Sequence, residues 1–506
     1  MRKGKAVAFD CDVLIAGGGP TGITLAILLA RRGIAVIVAE KEAAIHPLPR
    51  AAHIDHEGMR ILQEAGAADA VLATSRRAGR YDFLNAQGQV LLRFEGADKL
   101  GPGGWPIANM IHQPSVEAAL RRSLDGQSNA VLLSQCEVGA FEQDADGVCV
   151  QVATPDGART LRARWLVGAD GARSPVRKAA GVTFDDLGFE EPWLVVDVLV
   201  DDPSRLPTAN LQICNPARPT TCVLMGEGRH RWEFMILPGE TPEQVSDDAF
   251  IEKLLAPWNV QGAVRLERKA VYTFRARIAS AWRKGRVLLA GDAAHQTPPF
   301  AGQGLCSGLR DAANLAWKLA AVVRAEAPQA LLDTYQTERA PHLRATIQMA
   351  IMMGRMVCTT SRWSAFLRDT KIRIGRALRK LPSGPPAYPP LAAGAILAGS
   401  AGAGHYFPQA LSDAGLRLDD EIGLGPCLIA RGELADPGLV PFAAALGAWL
   451  DAHEAEAVLV RPDRQVFGTG EADKLRKAWQ AATGMTLRRP IKNGPSAAGG
   501  HPRMPA

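Results

Sequence analysis

The chain lacks the marks of several protein classes. Its eight cysteines, at 11, 136, 149, 214, 222, 306, 358 and 427, never fall into C-x-x-C or zinc-ligand spacing. That excludes a zinc ribbon or a dithiol centre, and it reads as reduced, mostly buried thiols in a cytoplasmic protein. The net charge of +6 is a small excess for 506 residues, and no basic block is long. That argues against nucleic acid as a partner and fits a protein handling small anions. No fixed-period repeat is visible. One run, Val13 to Ala30, carries no charge and is long enough to suggest a membrane span. It holds four glycines and a proline where a span needs large apolar residues, and no small-residue cleavage site follows it. No membrane partner is therefore expected.

That run is instead a strand, a glycine turn and a helix: "CDVLIA", Gly17-Gly18-Gly19-Pro20-Thr21-Gly22, then "TLAILLARRG". This is the G-x-G-x-x-G fingerprint of dinucleotide binding. Gly17 permits the tight turn, Gly19 lets the backbone approach a pyrophosphate, and Gly22 lets helix and strand pack closely. The helix N-terminus offers free N–H groups and a positive dipole end to phosphate. A second strand, "GIAVIVAEKEA", ends in Glu40, near the ~20-residue spacing of the ribose-binding acid. A carboxylate there accepts from both ribose hydroxyls and repels a 2′-phosphate. The motif alone leaves NAD and FAD open.

Two more stretches bear on that choice. In "GRVLLAGDAAHQTPPFAGQGLCSGLRDAANLAWKLA" a strand ends in Gly291-Asp292, a Pro/Gly loop follows, and a helix begins near Gly304. Asp292 is placed to accept bonds from a polyol, and the loop Pro298 to Gly304 has little side-chain bulk, so a flat ring could lie on its backbone. In "ARWLVGADGARSPVRKAAG" a strand ends in Asp170-Gly171.

With these three motifs the sequence resembles the single-component FAD-dependent aromatic hydroxylases, the para-hydroxybenzoate and phenol hydroxylase family. The stretches "PRAAHIDHEGMRIL", "IHQPSVEAAL" and "GDAAHQTPPFAGQGLCSGLRDAANLAWKL" are most similar to 3-(3-hydroxyphenyl)propionate hydroxylase-like enzymes. The resemblance covers residues 10 to about 380 and continues more weakly beyond. It implies FAD held by Gly17, Gly19, Pro20, Thr21, Gly22, Glu40, Lys41, Arg50, Gln113, Asp170 and Asp292. Pro299, Gly302, Gly304 and Leu305 would cradle the ring. NADPH or NADH would be a transient co-substrate, in keeping with the lack of a second G-x-G-x-x-G. No W-x-W-x-I-P motif of the flavin halogenases is present.

The resemblance further implies that reduced flavin reacts with O2 to a C4a-hydroperoxide, which hydroxylates a phenolic aromatic acid ortho or para to its hydroxyl. A phenol titrates near pKa ~10, so the protein must help it lose its proton. Asp55 and His53 are the candidates, with Asp55 as a plain helix cap the competing reading. Pro299 joins them as a loop residue beside the reacting ring. A metal at His53, His56 and Glu57 lacks a supporting cluster, so none is expected. A flavin hydroxylase tailoring a polyketide or heteroaromatic compound stays open, as does a non-catalytic flavin-binding interaction protein.

The expected fold class is α/β. An FAD-binding Rossmann-like domain of the glutathione-reductase type spans 10–183 and 276–380. An antiparallel-sheet substrate domain is inserted at 184–275, where "WLVVDVLV", "RWEFMILP" and "AVYTFRARI" alternate. Met225, Trp232, Phe234 and Met235 are candidate pocket residues there, with core packing as the default. Tyr272, Arg275 and Arg277 are candidates for an anionic substrate or the nicotinamide. A Pro-rich linker at 381–394 leads to a thioredoxin-like α/β domain at 395–490 without C-x-x-C, expected to serve packing or a homodimer. Residues 491–506 read as a disordered tail.

Overall fold

The computed structural model describes residues 8–226, 228–378 and 388–487. No helix among them is long and apolar enough to cross a membrane. The uncharged run resolves into the strand Cys11–Ala16 and the helix Pro20–Ala30. Val13, Leu14 and Ile15 have no exposure, because the strand lies between Val36–Glu40 and the end of Gly157–Gly168, both parallel to it. A strand covered on both faces reads as a continuous apolar segment. The helix is buried from Gly22 to Ala30, the situation of a helix that is apolar all round. Each fully buried Val, Leu or Ile stabilises by about 1.5–3 kcal/mol relative to exposure. The run is the centre of the core.

Five parallel strands follow the order Val287–Leu289, Gly157–Gly168, Cys11–Ala16, Val36–Glu40, Ala130–Ser134. Arg283–Lys284, Val148–Thr154 and Glu137–Gln143 extend the sheet antiparallel. The chain leaves Cys11–Ala16 toward one side and later returns on the other. The carboxyl end of that strand is thus a topological switch point, where open α/β sheets bind ligands. Gly17 stands there.

A second sheet of eight strands runs His295–Gln296, Val264–Ala279, Phe184–Val200, Arg229–Met235, Thr220–Leu224, Asn210–Cys214, Arg80–Asn85, Val90–Glu95. It is antiparallel except where Asn210–Cys214 meets Arg80–Asn85. The sheet expected at 184–275 therefore draws strands from outside that stretch, two before it and one after. Along Arg229–Met235 the faces alternate. Trp232 and Phe234 pack with Leu194, Val196, Val245 and Ile251 in a core on one side. Arg231 and Glu233 point to the other.

Of the described residues, those up to Gly394 together with His405–Pro408 form one compact unit. Ala395–Gly404 and the residues from Gln409 form a second. That second unit has an antiparallel sheet, Cys427–Ala430, Ala457–Val460 and Val466–Gly470, with helices Ala443–Ala452 and Ala472–Thr483. Phe467 meets Trp479 edge-on in its core, and Cys427 is its one cysteine, buried and free. Residues 381–387 of the expected linker, the end of the expected C-terminal domain from 488, and the expected tail 491–506 lie outside the described residues.

Candidate functional site

The glycine turn is shaped by contacts that only a missing side chain permits. Gly17 has φ +104°, and a Cβ there would come 2.4 Å from the Ala169 carbonyl oxygen. A Cβ on Gly22 would stand 2.0 Å from the Gly17 carbonyl oxygen. A Cβ on Gly19 would meet nothing within 4 Å. Gly19 is also the N-cap of Pro20–Ala30 and brings no side-chain cap, so the first N–H groups of that helix have no internal partner. The Gly18 N–H donates to Glu40 Oε2 at 2.6 Å, and the Glu42 N–H to Glu40 Oε1 at 2.9 Å. Lys41 beside it is paired loosely with Glu42 at 3.6 Å.

These residues border one cavity of about 1460 Å³, above the ~1,000 Å³ upper end of drug-sized pockets. Gly17, Gly19, Pro20, Thr21, Glu40, Lys41, Arg50, His53, Gln113, Asp170, Asp292, Pro299, Gly302, Gly304 and Leu305 all line it. Gly22 and Asp55 do not: Gly22 is buried in the packing behind the turn, and Asp55 lies behind the wall.

Each wall residue has its own support. Gln113 Oε1 accepts from the Arg50 and Ala51 N–H groups at 3.2 and 2.8 Å, and its Nε2 donates to Glu117 at 2.7 Å. Asp170 Oδ2 accepts from the Val176 N–H at 3.0 Å, while its Oδ1 is buried with no partner. Burial raises the Asp170 carboxyl above its ordinary range. Asp292 projects into the cavity, and the enclosing walls raise its carboxyl too, against the pull of His295 and Arg50. Behind it the Gly291 N–H donates to Asp311 Oδ2 at 3.1 Å, which also holds His295 Nε2 at 2.6 Å. His295, fully buried, is thereby fixed behind the wall. The loop Pro299–Ala301 is one 3-10 turn closed by Gly302 at φ +63°. The helix Gly304–Val323 then starts with a glycine that faces open space.

His53 and Asp55 are adjacent in the strand His53–Asp55 but have different surroundings. His53 Nδ1 lies 3.2 Å from the Gly302 carbonyl, and burial lowers its pKa, favouring the neutral ring. Asp55 is 1% exposed. Its Oδ1 caps the helix His56–Glu64 through the Gly58 N–H at 2.8 Å, and Oδ2 takes Arg310 Nη2 at 2.5 Å. Arg310 also donates to Glu57 at 2.5 Å and to Gln303 of the loop at 2.9 Å. The Asp55 carboxylate thus reaches the loop through Arg310, while its N–H donates to Cys306 Sγ on the following helix at 3.4 Å. Cys306 is buried, and burial pushes its thiol far up, as expected for packing.

The opposite wall is the polar face of the second sheet: Tyr81, Asn210, Gln212, Thr221, Arg231, Glu233, Arg268 and Tyr272. Sequence reasoning does not single out Tyr81, Gln212, Arg231 or Glu233. For Arg231 and Glu233 a signal exists in the i, i+2 alternation of "RHRWEFM", whose apolar half, Trp232 and Phe234, faces away from the cavity. Met225 and Met235 do not line it either. Arg275 lines it but is held by Glu190 at 2.7 Å, and Arg277 is paired with Asp186 at 3.2 Å.

A family model described as "FAD binding domain" matches residues 10–350. The chain is 41% identical over 363 residues to a 3-(3-hydroxy-phenyl)propionate/3-hydroxycinnamic acid hydroxylase of Mycolicibacterium smegmatis, covering 72% of this chain and 64% of the relative. It therefore spans slightly less than two thirds of that relative's length. It is 37% identical over 492 residues to a protein of Rhodococcus jostii named probable NADH-specific resorcinol 4-hydroxylase, covering 90% of this chain and 91% of the relative. Among solved structures, a ternary complex of aklavinone-11 hydroxylase with FAD and aklavinone superposes with TM-score 0.74 at 25% identity, covering 94% of this chain and 99% of that one.

Proposed function

The chain belongs to the FAD-binding-domain family, and on that premise we propose that it is an FAD-dependent monooxygenase. It uses NAD(P)H and O2 to add one oxygen to a phenolic ring, ortho or para to the hydroxyl. The observation that carries this reading is one cavity with two kinds of wall. One wall is a nucleotide-type turn, Glu40, Asp292 and a bare loop. The other is a sheet face rich in hydrogen-bonding side chains.

The residues fit the cofactor chemically. The uncapped helix start at Gly19, Pro20 and Thr21 would take the pyrophosphate. Glu40 would accept from the adenosine ribose, Asp292 from the ribityl chain, and the unpartnered Asp170 Oδ1 from a further donor. Arg50, whose backbone N–H donates to Gln113, and Lys41 would add positive charge beside the phosphates. Pro299, Gly302, Gly304 and Leu305 offer backbone to the ring. Bound flavin supplies hydride acceptance from NAD(P)H and activation of O2. The protein's part is to orient the phenol and hold its proton. With Nδ1–H donated to Gly302, His53 keeps the Nε2 lone pair for that proton, and its neutral state suits a base. Asp55 is a positioning residue for the loop, acting through Arg310.

The test is NADH and NADPH oxidation by the FAD-loaded protein in air, with 3-(3-hydroxyphenyl)propionate and resorcinol as probes and products followed by mass. Phenol-stimulated oxidation with gain of one oxygen atom is expected. A yellow protein that no phenol stimulates overturns the reading. A polycyclic substrate is the second reading, favoured by the likeness to the aklavinone complex over nearly the whole chain. Oxidation stimulated only by such compounds would select it.

A further inference from the structure

Among the described residues, Glu233 is a buried carboxylate that accepts no hydrogen bond. It sits mid-strand on the cavity face, opposite Val195 and Thr221, with 7% of its surface exposed. Buried carboxylates ordinarily collect donors, yet the side chains around this one are committed elsewhere. Arg231 gives Nε and Nη2 to Asp197 at 2.6 and 3.0 Å, and donates to the Arg50 and Pro49 carbonyls at 2.8 and 2.7 Å. It comes no nearer to Glu233 than 3.7 Å. Thr221 Oγ1 donates to Gln212 Oε1 at 2.7 Å. Gln212 Nε2 in turn donates to the Tyr81 hydroxyl oxygen at 2.6 Å. The Tyr81 O–H proton is left over, and Tyr81 lines the same cavity.

The charge balance on this face adds a second constraint. Arg231 and Arg268 share Asp197, and Glu233 offsets the remaining charge. Arg80 and Arg275, the further cations lining the sheet side, are held by Asp82 at 3.1 Å and Glu190 at 2.7 Å. Arg50 acts on Asp292 and Glu117 on the nucleotide side and also on Arg268 of this wall. An aryl carboxylate beside Glu233 would face that carboxylate, with Arg231 and Arg268 already paired to Asp197.

We propose that Glu233 and Tyr81 form a hydroxyl-reading pair, in which a second ring hydroxyl of the substrate donates to Glu233 and accepts from Tyr81. This pair selects neutral dihydroxybenzene-type rings over aryl carboxylates. The inference rests on the monooxygenase reading for the identity of the ring as substrate. Burial pushes the Glu233 carboxyl up to about 7, with Arg231 and Arg268 pulling it down and Asp197 pushing it up. Burial also raises Tyr81, so it stays protonated as a donor. The charged carboxylate is the stronger acceptor. Binding of a dihydroxybenzene should therefore tighten as pH rises through about 7, and binding of a carboxylate should weaken.

The experiment is a titration of the FAD-loaded protein with resorcinol and with 3-(3-hydroxyphenyl)propionate across neutral pH, read from the flavin absorbance. Resorcinol is expected to bind more tightly, with the two opposite pH trends. Glu233→Gln should weaken resorcinol on the order of tenfold, flatten its pH profile and tighten the carboxylate. Tyr81→Phe, which keeps the ring, should weaken resorcinol with the pH trend retained. Failure of resorcinol to bind, or dissociation constants unchanged by both substitutions, overturns the pair. NADH oxidation followed in parallel separates the two claims. Glu233-dependent binding without stimulated oxidation keeps the pair and sinks the monooxygenase, and stimulated oxidation indifferent to Glu233 does the reverse.

Discussion

Asp55 accepts from the Gly58 N–H on one oxygen and from Arg310 on the other, so its chemistry is directed inward. Burial alone would raise its carboxyl, but the Arg310 charge overrides this and holds it well below the usual carboxylate range. A depressed folded pKa means stability that is present above the unfolded value near ~4 and lost as pH falls through the folded one. Removing one partner of a buried pair costs about 3–5 kcal/mol, and a lost cap adds about 1. Asp55→Ala should therefore lower the thermal midpoint by several degrees at neutral pH and flatten the acid limb of the stability profile. Asp55→Asn keeps an acceptor for the cap and should lose less. Equal midpoints for wild type and Asp55→Ala, by calorimetry, would show the pair to be unimportant. His53 carries the contrasting expectation. His53→Gln should retain FAD colour while phenol-stimulated turnover falls about a hundredfold or more near neutral pH, the size of a general-base contribution. Unchanged turnover would remove it from the mechanism.

The glycine turn and the loop helix make the same point at the scale of elements, because equal substitutions should have unlike outcomes. An alanine at Gly22 puts a methyl against the Gly17 carbonyl, which is backbone and cannot swing aside. Overpacking of that kind costs about 1–3 kcal/mol, so Gly22→Ala should lower both stability and FAD affinity. An alanine at Gly304 meets nothing within 4 Å and, at the first position of its helix, gains at most about 1 kcal/mol of helix propensity. Its methyl nonetheless enters the cavity. Gly304→Ala should leave the apoprotein at least as stable as the wild type and weaken FAD, as measured by flavin fluorescence. An unchanged FAD affinity in Gly304→Ala would place the ring elsewhere. The same contrast explains how much of the site the sequence discloses. Gly17, Gly22, Glu40 and Gly291-Asp292 are legible because backbone turns and strand ends restrict residue type and spacing locally. Glu233, Tyr81 and Gln212 are not, because their meeting depends on cross-strand register, including the parallel pairing of Asn210–Cys214 with Arg80–Asn85. Asp55 was ambiguous for a related reason: its partner Arg310 lies 255 residues away. The α/β class was legible from strand–turn–helix periodicity. The long reach of the second sheet back to residues 80–95 left no local trace.

That reach ties the cavity's two walls together across the whole first unit. Residues 80–95 lie in sequence between the helix after His53 and the strand leading to Gln113, yet they pair into the sheet that carries Glu233. A ligand touching both walls therefore stabilises chain segments that are far apart in sequence. A group that binds only the folded state adds RT ln(1 + [L]/Kd), about 2.7 kcal/mol at a hundredfold excess over Kd. FAD at that excess should raise the unfolding midpoint of this unit by several degrees. It should also slow amide exchange in Arg229–Met235 as well as in Cys11–Ala16, although only the second adjoins the glycine turn. Asp292→Ala should shrink both effects together, since it removes a proposed cofactor contact and leaves the Gly291–Asp311–His295 support in place. Protection confined to the Cys11–Ala16 side would mean that the cofactor engages one wall alone. The sheet face bearing Glu233 would then be shaped without it, and the cavity would have to be read as two neighbouring sites.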